Sequence, residues 1–235
     1  MRKFLRNRLS SDGTTRWILS DLYRNPIRFL VALARSAIAT MKLTGRVFPL
    51  RLRIGPGQKF SIKRGKFARV RLSGNLIISS WGGSSLQSSL EIGNDGRLNV
   101  LGDFEIGPNV HMIVGENAEL NLGGRQLSSA SGITCNSRIM VEKQVSIGSD
   151  SIIAWDVFIS DSDWHQIAGA QRSSPVNIGD KVWIAHGVSV LKGATIPSGC
   201  IVAAKSLVAK RFSTEKALLA GVPARLVRSP VEWAS

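Results

Sequence analysis

Residues 178–208 read IGDKVWIAHGVSVLKGATIPSGCIVAAKSLV, and every sixth residue is aliphatic: Ile178, Ile184, Val190, Ile196, Val202 and Val208. Four places after each of the first five stands Val182, Val188, Ala194, Cys200 or Ser206, and directly after them stands Gly179, Ala185, Leu191, Pro197 or Ala203. Small or compact residues therefore fill two fixed slots. A period of six matches neither an alternating strand nor an amphipathic helix. It implies short strands joined by tight corners that leave little room for side chains, so that the chain coils.

The period continues upstream through Val141, Ile147, Ile153 and Ile159, with Gly148 and Ala154 in the following slot and Val145, Ser151 and Val157 in the fourth. From Ile159 to Ile178 the phase slips by one residue, which predicts a loop pushed out of the stack over 160–177. That loop carries Asp161-Ser162-Asp163-Trp164-His165. Before the regular coils, Leu72 to Leu122 holds pairs of sixes in three phases, begun by Ile92-Gly93, Ile106-Gly107 and Val114-Gly115. Gly123 to Gly132 is polar and turn-like, and Arg51 to Val70 alternates basic with apolar residues as edge strands do.

The net charge of +15 is unevenly placed, for residues 1–75 hold 18 Lys and Arg against Asp12 and Asp21. The front is thus expected to meet an anionic surface while a nearly neutral domain follows. Met1 to Arg8 lacks the apolar core and cleavage site of a secretion signal, so a cytoplasmic protein is expected. Thr14 or Thr15 is a candidate cap for a helix through Tyr23, closed at Asn25-Pro26. A second helix is expected over Ile27 to Leu43, with Arg28, Arg35 and Lys42 seven apart on one stripe. It is too short and too charged to span a bilayer comfortably, which leaves two readings: lying on the inner face of the membrane, or packing on the main domain or a neighbouring subunit. The basic region lacks zinc-finger spacing, an RNA-binding signature and regular aromatic interleaving, so no nucleic acid is expected. The two cysteines, Cys135 and Cys200, suit reduced thiols in a cytoplasmic protein.

The sixes from Val141 to Val208, the segment Ile178 to Ile184 and the ending Leu219-Ala220-Gly221-Val222-Pro223-Ala224-Arg225-Leu226-Val227-Arg228 resemble the hexapeptide-repeat acyltransferases, most of all bacterial sugar and polysaccharide O-acetyltransferases. The resemblance implies an all-β solenoid, a left-handed parallel β-helix, assembled as a homotrimer. The handedness comes from the resemblance alone, since general crossover rules favour the right hand. The organisation expected is a basic, partly helical extension over 1–50, the β-helix over 51–212 and a C-terminal tail over 213–235.

An alcohol attacking a thioester needs a base to take its proton, and histidine is suited to this near neutral pH. Of His111, His165 and His186, only His165 lies in the extruded loop, and it matches the family's general base. Asp161 or Asp163 would orient its ring or else cap the loop. Acetyl-CoA is the implied donor, held in a groove between subunits. Ala185, Ala203, Ala204 and Ala209 would keep the groove narrow, Trp183 matches a position that packs on the cofactor, and Lys210, Arg211, Arg225 and Arg228 would meet phosphates. Lys205 stands where relatives commonly have glycine, and either crowds the groove or binds phosphate. His186 stands where relatives often have serine, facing the acyl group or the pantetheine arm, or else facing solvent or a subunit interface. Asn136 matches an asparagine that holds the acceptor or the oxyanion, and is otherwise a turn residue. No metal is expected, and His111 is assigned no role.

Two other functions fit the scaffold. A zinc enzyme resembling the γ-class carbonic anhydrases needs histidines gathered from neighbouring coils, and spacings of 54 and 21 residues oppose that. A non-catalytic assembly subunit would use the solenoid only as a surface.

Overall fold

The computed structural model describes residues 25–80, 86–127, 130–166 and 168–234. Parallel strands stack into three sheets, the faces of a triangular prism. Face A has nine strands, beginning with Leu52–Ile54 and ending with Leu218–Gly221 and Ala224–Arg228; face B has seven, from Phe60–Arg64 to Leu207–Val208; face C has six, from Arg69–Leu72 to Thr195–Ile196. Up to Leu218–Gly221 each strand pairs in parallel with the one a full coil away, as in the column Ile133, Ile153, Ile184 and Val202, and Ala224–Arg228 closes face A antiparallel.

The six-residue period becomes one residue per face. Ile178 and Ile196 point inward from face C, Ile184 and Val202 from face A, and Val190 and Val208 from face B, all buried. The fourth-slot residues Val182, Val188, Ala194, Cys200 and Ser206 fill the interior of the corners and are buried too. Each fully buried aliphatic side chain contributes about 1.5–3 kcal/mol relative to exposure. Both cysteines are free, and burial pushes the Cys200 thiol up.

The early coils are ragged in sequence because they are wide. Register partners are 24 residues apart from Leu52 to Leu76 and 28 from Leu76 to Phe104, against 18 from Ile184 to Val202. Their strands reach six residues, as in Glu119–Gly124, so an internal period of two overwrites the six. The strands between Leu52 and Leu72 form the first coil, and the stack passes residue 212, since Leu218–Gly221 adds to face A.

Where wide coils meet, backbones touch. A Cβ added to Gly74 would lie 2.1 Å from the Gly102 carbonyl carbon. Gly74→Ala is therefore expected to cost about 1–3 kcal/mol, read as a lower denaturation midpoint at unchanged slope.

Helix α1, Pro26–Thr44, covers the open edge of the first coil. Asn25 caps it by accepting from the Arg28 N–H at 3.2 Å, so Asn25-Pro26 opens this helix; the helix expected from Thr14 or Thr15 to Tyr23 lies outside the described residues. The Ser36 Oγ accepts from the Ile54 N–H at 2.9 Å, and the Thr40 hydroxyl bonds both backbone groups of Leu52. An unpaired parallel edge would otherwise be open to other strands. The packing alternative thus holds for the face of α1 bearing Phe29, Ala32, Ser36, Ala39, Thr40 and Leu43.

Candidate active site

The phase slip after Ile159 is a loop leaving the edge between faces B and C, after Phe158–Ser160 and before Val176–Ile178. Its stem is a short antiparallel pair. Ser162 bridges Ser173, the Asp163 N–H donates to the Arg172 carbonyl at 3.0 Å, and the Ser174 N–H donates to the Asp161 carbonyl at 2.8 Å. Glu142, on the preceding coil, clamps the stem by accepting from the Ser162 hydroxyl and pairing with Arg172.

Trp164 sits in the left-handed region at φ +62°. Its indole folds back and donates to the Ser160 Oγ at 3.2 Å. The next residue, His165, is therefore left exposed at the loop shoulder, and it makes no hydrogen bond or ion pair among the described residues.

Neither aspartate orients that ring within the chain. Asp161 is fully buried and accepts from the N–H groups of Glu142, Lys143 and Gln144 at 2.7, 2.7 and 2.6 Å. Burial pushes its carboxyl up, and the Lys143 and Gln144 donors pull it back. Asp163 is ion-paired with Lys192, whose ammonium also donates to the Gln171 carbonyl at 2.6 Å. Both carboxylates hold the loop on the prism.

Successive coils continue the loop's edge as Lys192 and then Ala209, Lys210 and Arg211, all three of which are exposed. The Lys210 ammonium lies 5.1 Å from the Phe212 ring centroid. Arg225 and Arg228 are exposed on the last antiparallel strand of face A, opposite Ala220 and Leu218. Trp183 stands outward on face A with Ile152 and Ile201 as register partners, its ring 6.2 Å from Trp233.

A second group forms along the edge between faces A and B. Asn109, Asn136, Asp156, Gly187 and Lys205 take the left-handed corner in successive coils. The Asn136 Oδ1 accepts from the Asn109 Nδ2 at 3.1 Å, so the asparagine is a turn residue whose own amide donates to nothing among the described residues. His186 stacks on Trp155 at 5.4 Å and faces the Asp156 carboxylate at 3.5 Å. The Lys205 side chain lies over Gly187, where an added Cβ would meet its Nζ at 2.7 Å, while Ala185, Ala203 and Ala204 keep the neighbouring positions small. Within one chain, then, His165 and the Asn136–His186 column occupy opposite edges of face B.

Below this column a cavity of about 260 Å³ is bounded by Asn109, His111, Asn136, Arg138, Asp156 and Phe158. The His111 Nδ1 meets the Ser89 hydroxyl at 2.8 Å and its Nε2 meets the Asn109 Oδ1 at 3.0 Å. Burial and then the Arg138 charge push the His111 pKa down, and Glu91 opposes them. A depressed pKa favours the neutral ring in the folded state. Its stability contribution is complete above the ordinary value of 6.5 and is lost as pH falls toward the lower folded value. His111→Gln should flatten the dependence of stability on pH from neutrality to about pH 5, checked by denaturation across that range.

Trp155, Asp156, Glu142 and Lys192 were not singled out in the sequence. Trp155 and His186 are register equivalents, which an alignment of coils across the insertion displays. Glu142 and Lys192 act through tertiary contacts that leave no period. Among the described residues no three His, Cys, Asp or Glu side chains gather at metal-binding range.

No family model matches the chain. It is 33% identical over 100 residues to an Escherichia coli protein, WbbJ, named as a lipopolysaccharide biosynthesis O-acetyl transferase, covering 37% of this chain and 50% of that one. It is 30% identical over 130 residues to the galactoside O-acetyltransferase of Escherichia coli, covering 53% and 56%. Identity is 28% over 180 residues with an uncharacterised 24.8 kDa protein of the Klebsiella pneumoniae cps region, covering 74% and 78%. The chain thus spans about half the length of the two named relatives. Among solved structures, the polysialic-acid-specific acetyltransferase NeuO superposes at TM-score 0.51 and 19% identity, over 75% of this chain and 89% of that one. The repeat, the three-faced coil and the superposition on NeuO show the fold, a left-handed parallel β-helix built on hexapeptide repeats, and the two named sequence relatives are O-acetyltransferases.

Proposed function

We propose that this protein transfers an acetyl group from acetyl-CoA to a hydroxyl of a sugar or cell-surface polysaccharide intermediate, as a cytoplasmic homotrimer at the inner face of the membrane. The observation that carries this reading is the extruded loop. Its stem is clamped on both sides, and it presents one exposed imidazole, without a partner among the described residues, on an edge that also carries Lys192, Lys210 and Arg211. A loop built only for turning has no need of that scaffolding.

In this mechanism a neutral His165 nitrogen accepts the hydroxyl proton as the sugar oxygen forms a bond to the thioester carbonyl carbon. The tetrahedral oxyanion collapses, the carbon–sulfur bond breaks, and the imidazolium returns the proton to the leaving thiolate. Trimer formation would bring one subunit's loop against the Asn136–His186 edge of its neighbour, since a single chain separates them. There the Asn136 amide is a donor for the oxyanion. Trp183, Ala185, Ala203, Ala204 and Ala209 would line the channel for the pantetheine arm, and His186, held by Trp155 and Asp156, would form its wall. Lys205 folded over Gly187 narrows it. Lys210, Arg211, Arg225 and Arg228 would meet the phosphates.

The test is thiol release from acetyl-CoA with a panel of sugar and glycan acceptors. Release that depends on a hydroxyl acceptor is expected. Release with no acceptor in the panel would contradict the reading if the protein also fails to bind coenzyme A. Dependence on stoichiometric zinc would point to the carbonic anhydrase-like alternative.

A further inference from the structure

Between α1 and the first coil lies a cavity of about 340 Å³, far from the loop of His165. Phe29, Leu33, Pro49 and Leu50 give it apolar walls, and Arg51 and Arg53 reach it from the outward side of the first face A strand. The Arg51 Nε and the Arg53 Nη1 are shut off from solvent and have no hydrogen-bond partner among the described residues. No carboxylate relieves them from the adjoining strand, because the register partner of Arg53 is Ile77 and Glu105 stands one strand further. Guanidinium N–H groups withdrawn from water without acceptors are unfavourable, and their fork matches the oxygens of a phosphate.

The helix above this cavity has two apolar faces. Opposite the packed one, Ile27, Leu30, Val31, Ile38 and Met41 point outward, and Leu30 and Ile38 are each 58% exposed. At 3.6 residues per turn, Arg28, Arg35 and Lys42 run along one flank of this outward face, and the cavity opens at the other, beside Phe29 and Leu33. Cationic groups therefore border an apolar strip on both sides. No helix among the described residues is long and apolar enough to cross a membrane.

We infer that the cavity is a binding site for the phosphate of an anionic lipid. In that arrangement α1 lies along the bilayer surface with its outward face among the acyl chains, and the Arg51 and Arg53 forks grip one headgroup phosphate. An uncharged strip is a poor match for a nucleic acid, and the excess of 18 basic over 2 acidic residues in 1–75 complements a negatively charged leaflet. This deepens the membrane placement proposed above and is independent of acetyl transfer.

The test is co-sedimentation of the full chain with vesicles of phosphatidylcholine alone or mixed with phosphatidylglycerol. Binding to the mixed vesicles is expected. Arg51→Lys with Arg53→Lys keeps every charge but removes the fork, and should weaken binding about tenfold with an unchanged unfolding midpoint. Arg28→Lys with Arg35→Lys on the flank should bind as the unaltered protein does. Equal binding by both double variants would overturn the headgroup site in favour of diffuse charge. A Tm increase with soluble glycerol phosphate, lost in the Arg51/Arg53 variant and unaccompanied by vesicle binding, would overturn the lipid and leave a site for free phosphate esters. Self-association through Ile38 and Met41 without vesicle binding would overturn it in favour of a second copy of the chain.

Discussion

Replacing His165 by alanine is expected to lower acceptor-dependent thiol release by a factor of about 10² to 10⁴ and to leave the unfolding midpoint where it was. The two halves of this expectation have separate grounds. The rate falls because nothing else at the loop can take the hydroxyl proton: Asp161 is sealed among backbone amides and Asp163 is held by Lys192. Stability is spared because the imidazole is exposed and bonded to nothing among the described residues. Equal rates in the two proteins would remove His165 from the chemistry, and a large loss of stability would mean that the ring packs in the assembly instead of acting there.

Asp161→Ala should do the reverse, damaging the fold first and the reaction only through it. Its carboxylate satisfies three N–H groups at the corner of the preceding coil. Leaving those donors with no acceptor beside the buried Asp161 position costs about 3 kcal/mol or more, which for a chain of this length lowers the midpoint by roughly 6–12 °C. Asp161→Asn should fall between, since one oxygen remains but the amide presents donors to donors. Calorimetry of the three proteins checks the order. Were Asp161→Ala as stable as the unaltered chain but inactive, the aspartate would be acting on the imidazole after all.

These two substitutions mark how far the sequence could be read. The regular coils were legible because each aliphatic of the six lands on its own face and is buried there, from Ile178 to Val208. The extruded loop was legible as a break in that arithmetic. The first coils were not, because their longer strands impose a period of two and their corners vary in length, so Leu98, Met112 and Leu120 are core residues without a common phase. The roles of the two aspartates were hidden for another reason. Whether a carboxylate near a histidine turns the ring or ties down a corner depends on which backbone amides are within 3 Å, and Glu142 to Gln144 come from another coil. Likewise Asn136 reads as a site residue by resemblance and as a corner residue by its φ of +50°, and both descriptions fit one side chain that accepts from Asn109 and still has N–H groups to offer. The helix was legible to within a residue at each end, but the hydroxyls of Ser36 and Thr40 that bind it to the open edge of the prism carry no periodic signal.

The most direct test of the central claim is a crystal structure of the assembled protein with coenzyme A. It should place the thiol in the cleft between two subunits, beside Trp183 of one, with the His165 imidazole close enough to share a sugar hydroxyl, within about 3 Å or one bridging water of the place where that oxygen must sit. Coenzyme A bound away from that cleft, or an imidazole packed into a subunit contact out of reach of the thiol, would contradict it.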